Sequence, residues 1–160
     1  MKKILIPTDF TVDSLLLLRK ALDTCTDSKV DIILVYGAHL TSAISDLLYY
    51  SKKRHIENLA NTEFNEGKAI LINKYKERIN SLTIDLFIGA TQSAFNSFIE
   101  GLNITTIYTP SISKKLLINK NTGFHLDEYF SNSKIEIVPL EYEISSSQAR
   151  NGLLSKLLTS

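Results

Sequence analysis

Two hydrophobic rhythms alternate along the chain. Short unbroken apolar runs, such as Ile4-Leu5-Ile6 and Ile32-Ile33-Leu34-Val35, are separated by longer stretches with apolar positions at helical spacing. An unbroken run bounded by turn residues marks a strand covered on both faces, and the longer spacing marks an amphipathic helix. The pattern predicts a strand over 2–8, closed by Pro7 and Asp9, then a helix through Leu15, Leu18 and Leu22 to about Thr24. Thr11 or Asp13 would cap that helix by accepting backbone N–H bonds. A second strand is predicted over 30–36, with Gly37 at its end.

Two helical pieces follow, over 42–59 and 62–80, with a break at Asn61 and Thr62. A third strand is expected over 82–88 and ends at Gly89. The next helix, 91–102, carries Ala94, Phe95, Phe98, Ile99 and Leu102 on one stripe. The fourth strand, 105–108, stops before Pro110. A polar, basic loop over 111–122 follows, with a helical turn at 115–118. A short helix over 124–130 and a fifth strand over 134–140 complete the series. The last segment begins with three serines and ends in Leu153, Leu154, Leu157 and Leu158. This stripe is read as a terminal helix on its own domain or, alternatively, as a docking helix for a partner.

Strands and crossover helices in alternation build a doubly wound, Rossmann-like α/β fold, here a five-stranded parallel sheet with helices on both faces. The division is a domain over 1–144 and a C-terminal tail over 145–160. In such sheets the ligand crevice lies beyond the carboxyl ends of the strands, where the strand order reverses. With the first and fourth strands flanking that point, the crevice residues are Pro7, Thr8, Asp9 and Phe10 on one side and Thr109, Pro110 and Ser111 on the other. Tyr36 and Gly37 end the neighbouring strand.

Composition narrows the reading. The chain has 160 residues, 44% apolar and 22% charged, within the range of one globular domain. A net charge of +1 without a basic stripe gives no support for a nucleic-acid partner. No run approaches the roughly 20 apolar residues of a membrane span, and no signal-peptide core is visible, so a cytoplasmic location is expected. Cys25, the single cysteine, is read as a small buried residue at a helix end.

The segment Lys3-Ile4-Leu5-Ile6-Pro7-Thr8-Asp9-Phe10-Thr11, followed by Ser14 and the leucine-rich helix, resembles the start of a universal stress protein. Ile33-Leu34-Val35-Tyr36, Phe87-Ile88-Gly89 and Ile135-Glu136-Ile137-Val138-Pro139 continue the resemblance, which covers residues 1–141. It implies strand order 3-2-1-4-5 and a homodimer. Members that hold ATP carry a loop after the fourth strand that reads Gly, two residues, Gly, nine residues, Gly and then Ser or Thr.

Glycines at those positions let backbone N–H groups approach phosphates. Here only Gly123 remains, Phe124 follows it, and Pro110 removes a donor at the start. ATP or another nucleotide is therefore disfavoured, and no cofactor is expected. Asp9 matches the acidic residue at the nucleoside end of the family site, although a helix cap or turn former explains it equally well. Lys114, Lys115 and Lys120 would supply phosphate charge, or simply form a solvated cluster. The candidate crevice is thus Pro7, Thr8, Asp9, Tyr36, Pro110 and Lys114.

No metal-ligand spacing links His39, His55 and His125, and neither a nucleophile elbow nor a P-loop occurs. Tyr49 and Tyr50 beside Lys52, Lys53 and Arg54 read as a helix face. The expected function is a non-enzymatic stress or regulatory module acting through dimerisation and a protein partner. The alternative is a small-molecule or nucleotide sensor using the crevice near Asp9.

Overall fold

The computed structural model describes residues 2–26, 28–40, 49–111, 116–118, 120 and 122–141. The elements run β1 (Lys2–Pro7), α1 (Val12–Thr24), β2 (Val30–Ala38), α2 (Lys52–Leu59), α3 (Thr62–Lys74), β3 (Ile79–Phe87), α4 (Gln92–Gly101), β4 (Thr106–Pro110), β5 (Gly123–Phe124), α5 (Asp127–Ser131) and β6 (Glu136–Leu140). The expected terminal tail lies outside the described residues.

The long strands form one parallel sheet in the order β3-β2-β1-β4-β6, and β5 pairs antiparallel with β2. With the strand expected over 134–140 now numbered β6, this is the predicted order 3-2-1-4-5. Alternation along each strand sends side chains to two separate cores. Ile4 and Ile6 join Leu15, Leu18, Leu22, Phe64 and Leu71 of α1 and α3. Leu5 instead joins Phe95, Ile99 and Phe130 of α4 and α5. The sheet therefore carries helices on both faces. Burying each such aliphatic side chain contributes about 1.5–3 kcal/mol relative to exposure, and Ile4, Leu5 and Ile6 are all fully buried.

Several boundaries differ from the sequence pattern. The α3 helix ends at Lys74, and Ile79, expected at the end of a helix, begins β3 by pairing with Val30. Gly37 does not end β2, because that strand continues to Ala38 along β5. Pro110 does not lie beyond β4 but is its last residue, opposite Leu140. The helix expected over 124–130 begins only at Asp127, since Phe124 is held by β2.

Residues 116–118 are not helical. Of the helical piece expected over 42–59, residues 42–48 lie outside the described set, and the described part is α2, where the Ser51 side chain caps the Arg54 amide. Asn61 caps α3 through the Phe64 amide at 2.8 Å, as the break at that position suggested.

Candidate functional site

The turn from β1 into α1 is fixed by short polar side chains. The Thr8 amide donates to the Val35 carbonyl and so remains on the sheet. Thr8 Oγ1 accepts from the Phe10 amide at 3.1 Å and lies 3.0 Å from Ser14 Oγ, which donates to the Thr11 carbonyl. Thr11, not Asp13, caps α1 by accepting from the Ser14 amide.

Phe10 sits in the left-handed region at φ 62°. A bulky residue there costs about 1–3 kcal/mol. Its burial offsets that cost: the ring packs 5.2 Å from Tyr36 and 5.4 Å from Phe64, in tilted and edge-on contacts. The strained backbone turns the chain sharply enough to start the helix while keeping the aromatic side chain inside.

Asp9 has no unused carboxylate oxygen. Its Oδ1 accepts from the Thr11 amide at 3.0 Å and from the Thr11 hydroxyl. Its Oδ2 accepts from the Leu117 amide at 2.7 Å. The turn-former reading of Asp9 thus accounts for one oxygen. The other ties the loop after β4 to the mouth of the crevice.

A second tie lies beside it. β1 ends opposite Val35, but β2 runs three residues further. Gly123 and Phe124 pair with Ala38 and Gly37 along that overhang, and the His39 amide donates to the Thr122 carbonyl at 3.0 Å. The Tyr36 hydroxyl lies 3.0 Å from the Thr122 hydroxyl. A Cβ on Gly123 would collide with the Tyr36 ring and hydroxyl, and one on Gly37 would meet the Phe124 carbonyl at 2.7 Å. The single glycine left from the phosphate-loop pattern is therefore a packing glycine.

Phe124 then enters an aromatic cluster. Its ring lies 6.2 Å from Phe87, 6.3 Å from Tyr129 and 5.0 Å from His39.

Of the candidate crevice residues, Pro7 ends β1 and Thr8 and Asp9 follow it, Tyr36 lies two residues before the end of β2, and Pro110 ends β4. Pro7, Thr8 and Tyr36 are buried. Lys114 and Lys115 lie outside the described residues, and Lys120 is exposed. Thr109 forms part of the β4 wall, and its Oγ1 is buried with no hydrogen-bond partner. Sequence reasoning missed the loop residues that close the crevice, Leu117 and 122–124. Their one signal was Gly123, whose contact with Tyr36 spans 87 positions of chain.

The aromatic–basic cluster divides. Tyr49 is 84% exposed. The Tyr50 hydroxyl meets His55 Nδ1 at 3.0 Å, while Lys52 pairs with Asp85 of β3 at 2.7 Å. Burial pushes His55 below its usual 6.5; burial and the Asp85 carboxylate push Tyr50 up. The Lys52–Asp85 pair ties α2 to β3, while the Tyr50–His55 contact is local to the start of α2. Cys25 is buried at the end of α1, as expected.

Among the described residues no group of His, Cys, Asp and Glu is placed to hold a metal ion. No described helix is long and apolar enough to cross a membrane.

The fold and site define an open, doubly wound α/β domain whose switch-point crevice is occupied by its own chain. No protein-family model and no curated protein matches the sequence. Among solved structures, similarity at a TM-score above 0.5 supports the fold. The hypothetical protein PH0823 is 17% identical, with a TM-score of 0.51 over 90% of this chain and 99% of that one. A protein from the universal stress protein family of Burkholderia pseudomallei is 10% identical, with a TM-score of 0.49 over 88% of this chain and 96% of that one. The hypothetical protein MJ0577 is 18% identical, with a TM-score of 0.48 over 90% of this chain and 98% of that one.

Proposed function

We propose that this protein is a divergent universal-stress-protein-like module, non-enzymatic, that acts through dimerisation and a protein partner without binding ATP. The observation that carries the proposal is the double use of Asp9: one oxygen is taken by Thr11 and the other by Leu117. A nucleotide seeking that carboxylate would compete with Thr11 and Leu117 for it. The sequence adds support, because the glycines that would open the loop to phosphates are replaced and Pro110 lacks an N–H.

The dimer is read from the β6 edge. The Leu140 carbonyl accepts from the Ser111 amide just after β4, so alternation turns the Pro139 backbone to the side away from β4. A proline is tolerated at such a position, where it deletes one donor from the exposed ladder. Among the described residues no strand pairs with the rest of that edge, and an unpaired edge of this kind suits pairing with a second copy.

Thermal denaturation with ATP tests the first part. Bound ligand stabilises by mass action, about 2.7 kcal/mol at a hundred times Kd. The melting temperature is expected to be unchanged at millimolar ATP, and a rise of several degrees would overturn the proposal. Light scattering tests the dimer, where a strictly monomeric protein at high micromolar concentration would refute that part.

A further inference from the structure

β6 stands at one side of the sheet, with β4 as its one strand neighbour among the described residues. Its register with β4, and the bond from the Ser111 amide to the Leu140 carbonyl, fix which backbone groups face outward. In a parallel ladder each residue turns its N–H and C=O to the same side, and successive residues alternate. Glu136, Val138 and Leu140 therefore face β4, while Ile137 and Pro139 face away. Ile137 offers the outer edge a donor and an acceptor; Pro139 offers an acceptor alone. The side chains carry a second signal. Ile137 and Val138 are apolar yet only half-buried, and Ile135 and Ile137 pack along the margin of the core built around Phe95. Glu136 is exposed, and its carboxylate accepts from the Thr106 hydroxyl at 3.2 Å.

We propose that β6 pairs antiparallel with β6 of a second copy in one register, with Ile137 opposite its own counterpart. The proposal rests on the dimer reading above and names the contact that makes it. A two-fold axis through an antiparallel pair sets one residue opposite itself. Centres at Ile137, Val138 and Pro139 keep more than a single residue of each strand facing the other. Centred on Pro139, two prolines meet and the pair at the axis has no donor. Centred on Val138, each Ile137 faces a Pro139, so both Ile137 carbonyls are covered without a donor, which costs free energy. Centred on Ile137, the pair at the axis exchanges both bonds. Pro139 then moves to the end of the contact, where water serves the group left over. One step further, centred on Glu136, like charges stand directly opposite. The Ile137 register also lays Ile137 on Ile137, so the half-buried margin of the core continues across the axis.

Cysteine substitution in the full chain reads the register. Opposite residues of a hydrogen-bonded pair have Cα atoms about 5.5 Å apart, within disulfide range, whereas diagonal neighbours are about 7–8 Å apart. Under mild oxidation Ile137→Cys is expected to form a disulfide-linked dimer at least about tenfold faster than Val138→Cys. The unmodified protein, whose Cys25 is buried, is the blank. Faster linkage through Val138→Cys would overturn the register and leave the dimer standing.

Ile137→Pro is the second arm. It deletes the donor on the outer side and leaves the ladder to β4 intact. The circular dichroism spectrum should be unchanged. The dimer dissociation constant, from light scattering over a concentration series, should rise at least about tenfold for the two bonds lost. An unchanged constant in the folded variant would overturn the proposal. If the unmodified chain itself scatters as a monomer, the dimer reading falls and the register falls with it.

Discussion

The Tyr36 hydroxyl and the Thr122 hydroxyl lie 3.0 Å apart, joining the end of a central strand to the loop that covers it. Gly123 follows Thr122 directly and packs against the same tyrosine ring. This contact sets what can be changed at the crevice.

Gly123→Ala places a methyl group against the Tyr36 ring and the Gly37 carbonyl. Overpacking of this kind costs about 1–3 kcal/mol, or about 2–4 °C in melting temperature per kcal/mol for a domain of this size. Gly101→Ala is the control, because a Cβ there meets nothing within 4 Å. It sits at the end of α4, where alanine should be neutral or slightly stabilising. Thermal denaturation of the pair distinguishes a packing glycine from one of no consequence.

Asp9→Ala frees the Thr11 and Leu117 amides and should lower stability by about 1–3 kcal/mol. Thr11→Ala removes the α1 cap and should cost about 1 kcal/mol. Thr11 Oγ1 is shared between Asp9 and the Ser14 amide. The double substitution should therefore cost less than the sum of the single ones. Urea unfolding of the four proteins checks the cycle, and strict additivity would show that the two residues act independently.

Thr109→Val should stabilise the protein. The hydroxyl is buried without a partner, and valine keeps the shape while removing its desolvation penalty. A gain of about 1 kcal/mol in urea unfolding is expected. A loss of similar size would mean that the hydroxyl is bonded in solution, for instance through a buried water.

Burial holds His55 below its usual 6.5, so the folded state favours the neutral ring beside the Tyr50 hydroxyl. The contribution to stability is full above about pH 6.5 and falls as the pH drops through the folded-state value. Asp127 acts in the opposite sense, because burial raises its carboxyl above 3.8. The His55 effect is therefore read as the difference between the unmodified protein and His55→Asn. That difference should be constant from pH 8 to 7 and shrink towards pH 5.5, as measured by melting temperature.

The order of elements was readable because both signals behind it are local. Unbroken runs such as Ile4-Leu5-Ile6 can only be satisfied by a strand covered on both faces, and the stripe carrying Phe95 and Ile99 only by a helix packed on one side. The Thr11 cap and the Asn61 break were equally local, since a short polar side chain reaches an amide three residues on. Element ends were less readable where a partner decides them. Ile79 fits a helical spacing by sequence and becomes a strand residue because Val30 lies beside it. Phe124 is drawn out of a helical run by Gly37.

By itself, the sequence determined a parallel α/β sheet, its helices on both faces, and a phosphate loop without its glycines. It also put Pro7, Thr8 and Asp9 at the end of the first strand. What lay opposite the second oxygen of Asp9 was set only by the tertiary structure. Leu117 stands 108 residues further along the chain, and no periodicity or local propensity encodes a contact of that range. The fate of Gly123 was decided in the same way, by the ring of Tyr36, which folding brings against it. Patterning fixes which face of an element is buried; only the close approach of distant segments fixes which polar atoms remain free to meet a ligand.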